Sequence, residues 1–246
     1  MKALEINDLS YHYAQGCDVL KHITLSVSPG EKVGVIGPNG AGKSTLFLHL
    51  NGILPEKKIT TPRIHVFGTP VVTAELPTIR TNVGLLFQDP DDQLFCPTVW
   101  EDVAFGPSQL GLTAEEVNTR VSEALMNAGL TDFEQREPHR LSVGEKRRVC
   151  LAGILACHSK LLVLDEPTSN LDPRARRELT HLLKGLKDTQ IIASHDLEFI
   201  VHTCSRVIVL DQGELVAEGP TTAILSDEKL MLAHGLETPY ILKCRK

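Results

Sequence analysis

Gly37-Pro38-Asn39-Gly40-Ala41-Gly42-Lys43-Ser44 is the stretch on which the fold turns. Gly37, Gly40 and Gly42 let the backbone swing its N–H groups toward one point, which is what a phosphate needs. Upstream, Val33-Gly34-Val35-Ile36 is a short apolar strand that delivers the chain into this loop. Downstream, Lys43 to Leu50 has helical spacing and stops at Asn51-Gly52, an expected helix C-terminal pair. Strand, loop and helix therefore follow in the order that brings the positive end of a helix to an anion. In this reading Lys43 reaches the β and γ phosphates of a nucleotide and the Ser44 hydroxyl ligates Mg2+. The plain alternative is a glycine-rich turn carrying an exposed lysine.

Working outward, residues 3 to 36 read as extended segments, with alternation through Leu25 and Val27 and a turn at Pro29-Gly30. From about Phe95 to Cys157 helix signals replace strand signals. Thr113 with Glu116 forms a capping box, and Val117, Val121, Ala124, Leu125 and Ala128 then share one face before Gly129. This stretch, approximately 95–157, is expected to be a helical subdomain inserted into a sheet domain. Beyond it, Leu161 to Leu164, Ile191 to Ala193 and Val207 to Leu210 read as buried strands. Leu179, Leu182, Leu183 and Leu186 mark a helix between the first two. The expected class is α/β with a mainly parallel sheet, an antiparallel β subdomain and one domain spanning 1–246. Asp211 to Glu214 reads as a hairpin turn.

Leu161-Leu-Val-Leu-Asp165-Glu166 puts two acids at the end of a buried strand, the edge at which open α/β sheets bind ligands. Successive strand side chains point opposite ways, so the two acids are expected to differ in role. Asp165 suits holding Mg2+ through water, and Glu166 suits polarising the water that attacks a γ-phosphate. A solvated cap for the next helix is the alternative. His195 ends another apolar strand, Gln190 to Ser194, and arrives at the same edge, where a neutral imidazole bridges the γ-phosphate and Glu166. No Gly-x-Ser-x-Gly elbow accompanies Ser194-His195-Asp196, which excludes a hydrolase triad of that type. Ser142 with Glu145 is a second capping box and predicts a helix through Arg147, Val149 and Leu151. Its N-terminus, with the Ser142 hydroxyl and Gly144, is a second candidate anion site, expected to face another subunit's nucleotide.

The 246-residue chain carries a formal charge of -6, which argues against a broad nucleic-acid footprint. Arg147-Arg148 and Arg174 to Arg177 read as solvated helix faces. No apolar run approaches the roughly 18 residues that cross a bilayer, and Met1-Lys2-Ala3-Leu4-Glu5 has no export pattern, so the expected place is the cytosol. Cys17, Cys96, Cys150, Cys157, Cys204 and Cys244 form no Cys-x-x-Cys pair and read as reduced structural thiols.

Taken in order, these residues resemble the nucleotide-binding subunits of ATP-binding-cassette (ABC) transporters over essentially the whole chain. Gly37 to Thr45 resembles Walker A, Gln88 the Q-loop, Leu141 to Glu145 the signature, Leu161 to Glu166 Walker B, Ser169 to Asp172 the D-loop, and His195 the switch histidine. The resemblance implies a P-loop ABC ATPase fold and an Mg-dependent ATPase. It places catalysis at Glu166, His195 and Gln88, and Mg2+ at Ser44, Gln88 and Asp165. Nucleotide contacts fall to Gly37, Pro38, Asn39, Gly40, Ala41, Gly42, Lys43, Ser44, Thr45, Gln88, Ser142, Gly144, Glu145 and Asp172, together with an aromatic that stacks on adenine. Tyr13 is the aromatic named for that role and Tyr11 the other candidate. The implied partners are a second ATPase subunit, as a homodimer, and integral membrane subunits docked near Gln88 at the cytoplasmic face; no nucleic acid is expected.

Phe87 to Phe95 and Thr98 to Pro107 are similar to the ATPase subunits of energy-coupling-factor importers, those for cobalt and nickel above all. Alternatives are a vitamin importer of the same type, a soluble ABC ATPase working on ribosomes or DNA, and a P-loop kinase of a small metabolite. Val143 and Glu145 depart from the glycine and glutamine usual in the signature. The expectation is that Glu145 folds back to cap its own helix.

Overall fold

The computed structural model describes residues 1–14, 16 and 18–243, so Cys17 and Cys244 lie outside the described residues. In chain order the elements are β1 (Leu4–His12), β2 (Asp18–Val27), β3 (Lys32–Ile36), α1 (Lys43–Leu50), β4 (Ile64–Val66), β5 (Thr69–Pro70), α2 (Leu76–Asn82) and β6 (Val83–Leu86). There follow α3 (Val99–Gln109), α4 (Ala114–Asn127), α5 (Val143–Ala156), β7 (Leu161–Asp165), α6 (Pro173–Gly185), β8 (Thr189–Ala193) and α7 (Leu197–Thr203). The chain ends with β9 (Arg206–Asp211), β10 (Glu214–Pro220), α8 (Thr221–Ser226), α9 (Glu228–Ala233) and α10 (Tyr240–Lys243).

Two sheets form. One is antiparallel, in the order β2-β1-β4-β5, with Leu4 facing Val27 on one side and Val66 on the other. The second runs β10-β9-β3-β8-β7-β6 and is parallel except for β10. Its five parallel strands are buried on both faces, as crossover helices and a covering sheet require, while the antiparallel edge strand β10 is part-exposed. Leu161 and Val163 pack toward the antiparallel sheet and α1, in one core with Ile6, Ile23, Val35 and Phe47. Leu162 and Leu164 pack the opposite way, with Leu151, Leu179, Leu183 and Ile200. Helices α3, α4 and α5 enclose a third core around Val99, Val103, Val121, Leu125 and Val149.

Parallel pairing is what assembles the site. Leu86 sits opposite Leu164, and Asp165 opposite Ala193, so β6, β7 and β8 end level with one another. The loops leaving β3, β6, β7 and β8 carry the phosphate loop, Gln88, Glu166 and His195 to one edge of the sheet. Among the described residues no helix is long and apolar enough to cross a membrane.

One charge reading is overturned. Arg147 is 1 % exposed and is the largest fully buried side chain among the described residues. The reason is α5 itself, which is clasped on two sides: Cys150, Leu151 and Ile154 face the sheet core, while Val149, Ala152 and Ala156 face the helical core. Arg148 is largely covered too and lies 3.4 Å from Glu178. Arg174 does stand in solvent, pairing with Glu178, and Arg176 pairs with Asp196. Cys150 and Cys204 are buried, and burial pushes both thiols up to about 12, as structural cysteines require.

Candidate functional site

The phosphate loop opens straight off β3. Gly37 has φ 156°, and a Cβ there would lie 1.9 Å from the Leu210 carbonyl of β9, so no side chain fits. Gly42, at φ 102°, is the N-cap of α1 and would press a Cβ to 2.7 Å from the Val19 carbonyl. No side chain caps α1, so its first N–H groups face the loop and are free for an anion. Lys43 Nζ curls back along the loop and donates to the carbonyls of Gly37 (2.8 Å) and Pro38 (3.0 Å). Burial lowers its pKa, with the Glu166 and Asp165 charges working the other way.

Asn39, Gly40, Ala41, Gly42, Lys43, Ser44 and Thr45 line one cavity together with Gln88, Asp165, Glu166 and His195. Asp165 and Glu166 are 7 % and 6 % exposed, and burial raises the pKa of each. The strand-alternation reading of this pair needs correction: β7 ends at Asp165, and Glu166 has turned out of the strand at φ 48°. A left-handed backbone at a non-glycine residue costs about 1–3 kcal/mol and persists only where neighbours hold it. Here the Glu166 N–H donates to Ala193 O (3.0 Å), and its carbonyl accepts from the Ser169 N–H (3.1 Å) and from Arg147 Nη1 (2.8 Å). Its Oε2 accepts from the Ser194 hydroxyl (3.4 Å) and the His195 N–H (3.2 Å).

Glu166 Oε1 is buried without a hydrogen-bond partner among the described residues, and His195 Nε2 stands 3.5 Å from it. A carboxylate with one oxygen anchored and the other unpaired can accept a proton from a water placed beside it. Burial and the Lys43 charge lower the His195 pKa, which keeps the imidazole neutral at physiological pH.

The signature residues lie elsewhere. Ser142, Gly144, Glu145 and Asp172 line a separate cavity with Gly129, Arg148 and Ala175. Glu145 folds back as expected: its Oε2 accepts from the Ser142 N–H (2.8 Å) and hydroxyl (2.7 Å), while its own N–H reaches Ser142 Oγ at 3.4 Å. Those contacts hold its carboxyl below the usual range, and its negative charge is spent on the cap. Gly144 is constrained by packing, since a Cβ would meet the Ala175 Cβ at 3.0 Å. Asp172 caps α6, accepting from the N–H groups of Arg174 and Ala175.

The two tyrosines separate cleanly. Tyr11 packs against the core and sets its ring edge to His49, with centroids 4.6 Å apart. Tyr13 is 42 % exposed, and its hydroxyl lies 3.3 Å from the Thr45 hydroxyl at the start of α1. We propose Tyr13 as the ring that stacks on adenine, and Tyr13→Ala is then expected to weaken ATP binding about tenfold. Tyr11→Ala should instead lower the melting temperature and leave affinity close to wild type. Fluorescent-nucleotide titration with thermal melting of both variants checks this.

Ser194 and Arg147 are contacts of Glu166 that the sequence did not point to. Neither has a local spacing signal, because both act through pairings across 19 to 28 positions.

A glycine-rich loop between a strand and a helix, with two buried acids and a histidine at the same sheet edge, defines a P-loop nucleotide-hydrolysing protein. The chain belongs to the ABC transporter family, whose model matches residues 20–169, and is an ATP-binding, ATP-hydrolysing member of it. It is 49 % identical to the energy-coupling factor transporter ATP-binding protein EcfA of Methanothermobacter thermautotrophicus, over 96 % of this chain and 76 % of that one. Among solved structures it is similar to CbiO1 of Clostridium perfringens, part of the ABC transporter complex CbiONQ (TM-score 0.82, 35 % identity, 98 % of both chains). It is also similar to the dimeric ATP-binding cassette MJ0796 in a post-hydrolysis state with ADP and phosphate (TM-score 0.77, 26 % identity, 89 % of this chain and 98 % of that one).

Proposed function

We propose that two copies of this chain sandwich two ATP molecules, each held between Gly37 to Thr45 of one copy and Ser142 and Gly144 of the other. Hydrolysis then drives a separate membrane importer of the energy-coupling-factor type. The observation that carries this reading is the division of the nucleotide-facing residues between two cavities of one chain. Each cavity has half the groups that a γ-phosphate needs, and a two-fold dimer brings unlike halves together. Glu166 is the base, His195 the neutral hydrogen-bonding partner at the γ-phosphate, and Gln88 the residue between the nucleotide and the docking groove.

The donors beside the phosphate loop fit Mg2+. The exposed Ser44 hydroxyl and the Asp165 carboxylate are hard oxygen ligands, and Gln88 borders the same cavity. Among the described residues no trio of His, Cys, Asp or Glu forms a metal cage, which suits an ion held largely by phosphate and water. When bound, Mg2+ neutralises charge on the β and γ oxygens. The chain's own groups orient the nucleotide and take the water's proton.

A groove between the Gln88 loop and α5 is the place for the membrane subunits. Gln88, Asp89, Asp91, Asp92, Val143 and Lys146 line it, and the exposed ring pair of Phe95 and Phe105 adds apolar surface nearby. Cobalt or nickel as cargo rests on the likeness of Phe87 to Phe95 and Thr98 to Pro107 to the metal-uptake ATPases. Co-purification of the tagged protein from its native host in mild detergent, with metal assay, tests it. Small multi-span membrane proteins enriched in cobalt or nickel are the expected result. Retention of ribosomes or DNA-bound proteins without a membrane subunit would overturn it.

A further inference from the structure

The Arg147 guanidinium sits in the second turn of α5, five residues beyond the Ser142 cap, and is 1 % exposed. Its hydrogen-bond acceptors are backbone oxygens at the catalytic turn: Glu166 O at 2.8 Å from Nη1 and Ser169 O at 3.4 Å from Nη2. Its Nε has no partner among the described residues. A charge buried at that expense, whose hydrogen-bond acceptors among the described residues are all carbonyls while the Asp89, Glu166 and Asp165 charges attract it from further off, is retained more readily for what it holds than for stability. What it holds is a residue in a strained backbone conformation, Glu166 at φ 48°.

We propose that Arg147 is a positioning residue for Glu166, tying the helix that faces the partner's nucleotide to the carboxylate that faces the chain's own. The proposal rests on the shared-site reading above. Two donors hold the Glu166 carbonyl, the Ser169 N–H and the guanidinium. Without the guanidinium the peptide can rotate toward a relaxed conformation and carry the carboxylate with it. Because α5 is one rigid helix from its cap onward, a shift of its N-terminus against a second subunit's phosphate reaches the Glu166 carbonyl directly. Hydrolysis on one nucleotide thereby depends on engagement of the other.

The test is Arg147→Met and Arg147→Gln in the full chain, reading kcat, KM, fluorescent-ATP affinity and ATP-dependent dimerisation. Methionine is close in volume to a buried arginine and carries no charge, and thermal melting of each variant checks that the fold is kept. In Arg147→Met, kcat should fall about tenfold to a hundredfold, the effect of misplacing a catalytic group by about 1 Å. KM and ATP affinity should stay within about threefold, and ATP should still assemble dimers. Arg147→Gln keeps an N–H donor and should fall between wild type and Arg147→Met. Wild-type kcat in Arg147→Met would overturn the proposal, as would a loss of kcat matched by an equal loss of ATP affinity. Should Arg147→Met fail to fold, wild-type kcat in Arg147→Gln overturns it in the same way. Glu166→Gln separates the two layers. If Glu166→Gln is slow and Arg147→Met is fast, only the tie fails; if Glu166→Gln is fast, the base assignment beneath it fails.

Discussion

Glu166→Gln is expected to lower ATP hydrolysis by about a hundredfold or more while leaving nucleotide binding intact. Glutamine keeps the shape of the side chain, and its amide oxygen can still accept from Ser194 and the His195 N–H, the two donors that anchor Oε2. What it loses is the ability to take a proton at the oxygen that is buried without a partner. Binding survives because the groups that line the phosphate loop, Lys43 and Ser44 among them, are untouched. Steady-state phosphate release and nucleotide titration on the same preparation separate the two effects. Wild-type turnover would remove Glu166 from the catalytic role.

The pH dependence carries the same assignment, and its sign follows from burial. Burial raises the Glu166 pKa above the ordinary carboxylate range, so the base is protonated and idle at acid pH and gains activity as pH rises through that raised value. His195 is shifted the other way and stays neutral through neutral pH. Wild-type kcat is therefore expected to climb with pH and then level off, and the residual rate of Glu166→Gln should lack the climb.

Much of this site was legible because its chemistry is written in local geometry. The phosphate loop needs glycine where a Cβ would strike Leu210 O or Val19 O, and those glycines stand in the sequence at fixed offsets from Lys43. The capping boxes at Thr113 and Ser142 were legible for the same reason, since cap and partner are three residues apart. The buried strands could be read from their apolar runs, although β4, β5 and β6 are short and gave no separate signal. Arg147 was misread because charge pattern reports the solvent face of a helix only when the helix has one, and α5 is covered on both sides. The turn at Glu166 was equally invisible, because its left-handed backbone is held by Arg147, Ala193 and Ser169 rather than by its sequence neighbours alone.

Ser142→Arg is expected to bring hydrolysis close to background, a fall of about a hundredfold, while single chains still bind ATP at the phosphate loop. Ser142 lines the signature cavity beside Gly144 and takes no part in the cavity of Lys43, Asp165 and Glu166. In the proposed dimer an arginine there fills the opening through which a partner's γ-phosphate would approach. Losing the cap of α5 costs about 1 kcal/mol, too little to unfold a domain with three buried cores. A large fall in turnover with a melting temperature lowered by only about 2–4 °C is thus a statement about the site. Mixing gives the sharper reading. If each nucleotide is completed by the other subunit, mixing Ser142→Arg with Glu166→Gln, each nearly inactive alone, restores some turnover, because a mixed dimer pairs the intact Glu166 of one chain with the intact Ser142 of the other. If each chain works alone, the mixture stays as inactive as its parts, and the shared-site model falls.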